Sequence, residues 1–151
     1  MHNIINKLSK ALFILTLSFA SLNSYAESEN SREFGDYVVH YNAFRSDTIS
    51  PEVAKQYGLP RANNKVLINI AVLKKVMNTT GKPTKSDVTG HASNLTGQLK
   101  QLEFKEITEG TAIYYLGEFR VTPPDTLKFT TTIEVAGEPK REMVFKQKFY
   151  K

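Results

Sequence analysis

The sequence of 151 residues has no cysteine and no tryptophan. Without cysteine there is no disulfide framework, thiol nucleophile, iron–sulfur cluster or cysteine-ligated zinc site. Also missing are the G-x-S-x-G elbow, the phosphate-binding loop, the G-x-G-x-x-G turn and the HExxH pair. The longest apolar run, Ala11 to Ala20, has ten residues. That is half of the roughly 20 needed to cross a bilayer, too short for a permanent anchor. These absences leave no catalytic residue and no cofactor to assign.

What is present at the start is a leader. Lys7 and Lys10 precede the apolar run, and Ser24, Tyr25 and Ala26 close it with a small-x-small pattern. These are the parts of a secretory signal peptide, residues 1–26, with cleavage expected after Ala26 and the periplasm as destination. Removal of that segment takes away two lysines and no acid, so the formal charge falls from +5 to +3. So mild an excess, with no clustered basic face, predicts no nucleic-acid partner. No cysteine follows the apolar run, which excludes a lipid-anchored lipoprotein.

Residues 27–34 are polar and read as a flexible leader. Residues 35–151 are expected to form a single domain, dominated by the two-residue period of β-strands. Seven segments carry that period: 37–44, 66–73, 88–95, 99–107, 111–121, 127–135 and 141–150. Turn signals separate most of them, for instance Thr80-Gly81-Lys82-Pro83 and Gly137-Glu138-Pro139. The spacing predicts an all-β fold, an antiparallel seven-stranded immunoglobulin-like sandwich. One segment departs from the pattern. Ser50-Pro51-Glu52 supplies an N-cap, a proline at the first helical position and an acid in the first turn, and Gly58 a stop. A short helix is therefore expected near 51–57, with Val53 and Tyr57 facing inward together.

The polar candidates are sparse. His40 and His91 are the histidines beyond the leader, and a metal site would need Glu106 or Asp36 beside them. The plainer reading makes both structural, and no metal site is assigned. Glu106 shares strand parity with Leu102 and Phe104, so it points inward or sits at the core's rim. There it needs a partner such as Arg61 or Arg120. Asn42, Asn69, Asn94, Gln98 and Gln147 are amides within or beside strands. They either tie strand ends together or form a ligand-binding cluster. Asn78-Thr79-Thr80 and Asn94-Leu95-Thr96 also match the N-glycosylation pattern.

Several stretches taken together resemble the domain-of-unknown-function family 4426. They are Tyr37 to Asn42, Pro51 to Gly58, Asn69 to Val72, Gly90 to Gln98, Phe104 to Tyr115 and Phe145 to Tyr150. The resemblance covers nearly all of the chain after the leader. It implies a small exported, periplasmic protein of Gram-negative bacteria with a β-sandwich domain, and it supplies no catalytic residues. It marks His40, Asn42, Arg61, Asn94, Gln98 and Glu106 as polar positions within or near the matching stretches, hence as candidate binding residues. The leading expectation is a non-enzymatic binding or protein-interaction module of the cell envelope, its partner an envelope protein or a small ligand. The alternative is a hydrolase or metal-assisted enzyme using His40, His91 and Glu106, which requires those side chains to converge on one pocket.

Overall fold

Residues 30–151 are described by a computed structural model. The expected signal peptide, its expected cleavage point and the first residues of the expected leader lie outside the described residues. The period-2 segments become strands of two antiparallel sheets, and the order of the ten strands is β1 Ser31–Phe34, β2 Tyr37–Arg45, β3 Lys65–Lys74, β4 Lys82–Pro83, β5 Asp87–Ser93, β6 Leu99–Leu102, β7 Phe104–Glu109, β8 Ala112–Arg120, β9 Asp125–Glu134 and β10 Arg141–Phe149. One sheet runs β1-β2-β3-β8-β7, with β4 paired to the end of β3, and the other runs β10-β9-β5-β6. The all-β sandwich is thus the observed class, with one short helix, α1, at Pro51–Tyr57.

Three features differ from the sequence expectation. Ser31–Phe34, placed in the leader, pairs with Tyr37–His40 across the Gly35-Asp36 turn. It is a four-residue edge strand whose one apolar residue, Phe34, packs against the core, too short to show a period. Lys82-Pro83, read as part of a turn, pairs with Leu73 and Lys74. The single strand expected over 99–107 is two strands in different sheets: Gly90 faces Leu102, while Phe104 faces Gly117. The chain changes sheets at Glu103 without breaking side-chain parity, because Leu102 and Phe104 both reach the common core.

The core fills the space between the sheets. Val66, Ile68, Ile70 and Val72 line one side, and Leu127, Phe129, Thr131 and Ile133 the other, all buried. An aromatic chain bridges the layers. Tyr41 meets Phe145 at 4.4 Å, Phe145 stacks on Phe129 at 4.8 Å, and Phe129 meets the edge of Phe119 at 5.5 Å. A fully buried side chain of this size stabilises by about 1.5–3 kcal/mol, so no covalent staple is needed.

Helix α1 follows its local code. The Ser50 hydroxyl accepts from Val53 N–H at 3.3 Å. Gly58, at φ 64°, takes the left-handed position that ends the helix. The Leu59 and Gly58 amides then donate to Ala54 and Lys55 carbonyls, the paired bonds of a Schellman stop. The buried residue of the helix is Ala54, while Val53 stays 41% exposed.

Candidate functional site

The three residues of the enzymatic alternative do not meet. His40 lies opposite Ala71, on the outer face of the larger sheet. His91 lies opposite Thr130, on the outer face of the smaller sheet, so the two histidines sit on opposite sides of the sandwich. Glu106 shares its face with the core residue Tyr115 and sits at the rim of the sandwich interior. Among the described residues no three of His, Cys, Asp and Glu gather as a metal site. The constellation of His40, His91 and Glu106 is therefore withdrawn: strand alternation sends each to a different surface.

Glu106 does find a charge partner, but it is Lys85 at 3.3 Å rather than Arg61 or Arg120. The carboxylate also accepts from the Tyr115 hydroxyl at 3.4 Å, and that hydroxyl accepts from the buried Ser86 N–H at 2.7 Å. Burial raises the Tyr115 phenol above its ordinary value, and the Glu106 charge adds to the rise while the Ser86 bond opposes it.

Three further candidates are occupied with local structure. Arg61 donates to the Ile49 carbonyl at 2.8 Å and the Asp47 carbonyl at 3.1 Å, clamping the loop around α1. The Asn94 carbonyl oxygen takes the Thr96 amide, the Thr96 hydroxyl and the Gln98 amide, and its amide nitrogen donates to Gln98 Oε1. This is a self-satisfied turn between β5 and β6.

His40 and Asn42 remain, and they share a face with residues the sequence did not single out as a set. Helix α1 and its flanks close one end of the outer face of the larger sheet. Val53, Tyr57, Ile49 and Leu59 line a cavity of about 180 Å³ there, with Phe44, Leu67, Ile107 and Leu116 from the strands. A second hollow, about 370 Å³, continues past His40, Asn42, Ala71, Leu73 and Pro83. Asn69 and Tyr114 line both, so the two form one groove along β3.

Asn69 sits at the junction, directly opposite Asn42. Its side-chain oxygen is the one buried side-chain polar atom among the described residues with no hydrogen-bond partner within the protein. A buried unpaired carbonyl costs about 1–3 kcal/mol. The signal was present in the sequence as an amide interrupting the most apolar strand. The apolar partners Phe44, Leu67, Tyr114 and Leu116 were not legible as a site, since they look like ordinary strand residues. Glu109 is the one carboxylate lining the groove. It has no cationic partner among the described residues. Tyr57 is raised above the usual phenol value, by burial first and then by the nearby Glu109 carboxylate.

Residues 31–151 match the family profile described as Domain of unknown function (DUF4426). The chain belongs to the DUF4426 family. A crystal structure of a DUF4426 family protein from Pseudomonas aeruginosa PAO1 is similar at 38% identity and a TM-score of 0.69, covering 80% of this chain and 93% of that one. FetP from uropathogenic Escherichia coli strain F11, produced recombinantly in the E. coli periplasm, is similar at 14% identity and a TM-score of 0.57, covering 80% and 92%. A copper-bound single-substitution variant of FetP gives 14% identity and 0.58, covering 79% and 93%. At that identity the FetP likeness concerns the fold. No functionally curated protein matches the chain. No helix among the described residues is long and apolar enough to cross a membrane.

Proposed function

We propose that this DUF4426 protein is a non-enzymatic binding module of the periplasm that engages its partner through the outer face of the larger sheet. The observation that carries the reading is the groove beside α1, whose floor holds the unpaired Asn69 oxygen. The groove is lined by Phe44, Leu67, Tyr114 and Leu116, with Asn42, Asn69 and His40 as the polar complement. A largely apolar concavity with a few converging polar groups is the usual build of a binding site. Export is supported by the basic start, the ten-residue apolar run and the small-x-small end at Ala26. FetP, a neighbour in fold, was produced in the periplasm of E. coli.

Copper binding does not transfer from FetP on the residues present. Copper selects imidazole and thioether donors. Here His40 and His91 lie on opposite faces, Met143 is buried in the core, and Met77 is 89% exposed in a loop. No described donors converge, and we assign no copper site.

The test is crosslinking in cells with a photoreactive side chain at Ala71, on the groove floor, and separately at Thr130, on the opposite face. The reading expects an adduct of one identified species from the Ala71 position only, lost when Asn69 is changed to Leu. Equal adducts from both positions, or none from folded protein, would overturn it.

A further inference from the structure

The groove also restricts the chemistry of what fills it. The geometry points to an extended peptide segment carrying one bulky apolar side chain beside a basic residue; the inference rests on the outer-face reading above. Three observations converge on this ligand. The first is length: the groove follows β3 from Leu73 to Leu67, and at about 3.3 Å per residue that is about 20 Å, room for five or six extended residues. The second is polarity along the path. The end beside α1 is apolar and holds about 180 Å³, enough for a single large side chain. The other end offers His40, Asn42, Asn69 and Tyr114, which suit the alternating N–H and C=O groups of a peptide. An acyl chain would leave these groups unpaired, at a cost.

Asn69 joins the two halves. Its terminal torsion is soft and roughly two-fold, so a small rotation presents the unpaired oxygen to a backbone N–H lying in the groove. The third observation is charge. Glu109, the one carboxylate lining the groove, makes no ion pair among the described residues, so a lysine or arginine next to the apolar anchor is complementary.

The experiment is a titration of 15N-labelled protein with a blocked pentapeptide holding one phenylalanine next to one lysine among threonines. Controls are the same peptide with the phenylalanine changed to serine, the same peptide with the lysine changed to glutamate, and octanoate. The proposal expects saturable shifts at the Asn69 side-chain amide, β3 and α1, with both peptide controls at least tenfold weaker. Asn69→Leu and Glu109→Gln, each retaining a folded spectrum, should each weaken the phenylalanine–lysine peptide about tenfold. Octanoate binding the groove while the peptide does not would overturn the ligand chemistry in favour of an acyl group. Failure of all probes while the Ala71 crosslink persists would overturn the peptide and leave the groove. Peptide shifts confined to the opposite face would overturn both.

Discussion

The Tyr115 hydroxyl accepts a hydrogen bond from the Ser86 backbone N–H at 2.7 Å, tying the β4–β5 connection to the middle of β8. Both residues are buried, at 4% and 7% exposure. The Tyr115→Phe variant keeps the ring and removes the only oxygen shown to accept from that amide. A buried donor is then left unpaired, so we expect a loss of about 1–3 kcal/mol in urea denaturation, with an unchanged m-value. A loss below about 0.5 kcal/mol would mean that this bond does not hold the connection.

The same hydroxyl sets an alkaline dependence. Its folded pKa is raised, by burial first and then by the Glu106 charge, against the lowering effect of the Ser86 bond. A tyrosine in the unfolded chain titrates near 10. The contribution is therefore complete below about pH 10 and is lost as the pH climbs through the higher folded value. Denaturation midpoints should show a decline beginning near pH 10, and Tyr115→Phe should make that decline shallower. An equal slope in both proteins would remove Tyr115 as its source.

Two glycines let the strands approach closely, and they should differ in cost. A methyl on Gly90 would come 2.6 Å from the Thr130 carbonyl oxygen, a backbone atom fixed by the β5–β9 ladder. A methyl on Gly117 would meet the Ile68 side chain at 2.8 Å and the Phe104 ring at 3.3 Å. Side chains give way more readily than a ladder. Thermal melting should rank Gly90→Ala as the more damaging variant, by about 3 kcal/mol or outright failure to fold. The reverse order would show that the β5–β9 spacing is softer than the core beneath Gly117.

The legibility of this fold follows from what each signal depends on. Helix α1 was readable because Ser50, Pro51 and Gly58 act locally and need no partner. The long strands were readable because inward residues such as Ile68 and Phe129 alternate with outward ones. Strand β1 was not, since four residues with one apolar side chain, Phe34, are too few to show a period, and its pairing with β2 uses backbone bonds that any sequence makes. The split at Glu103 was hidden because sheet switching preserved side-chain parity. Of the named polar candidates, Arg61, Asn94 and Gln98 are polar because they hold loops together. The groove was hidden because it depends on which face α1 covers, a long-range fact that the period of β3 does not encode.

Asn69 sets stability against binding. Its oxygen is buried without a partner within the protein, and both cavities it lines leave space for a branched apolar side chain. Replacement of a buried unsatisfied polar group by an apolar one of similar size removes the penalty, so Asn69→Leu should raise stability by about 1 kcal/mol in urea denaturation. The same change deletes the acceptor at the junction of the groove, so the crosslink from Ala71 should disappear in the more stable protein. Gain of stability with loss of binding is the pattern of a residue kept for function at the expense of the fold. If Asn69→Leu is less stable than the parent and still yields the crosslink, then Asn69 serves the packing of β3 and the site lies elsewhere.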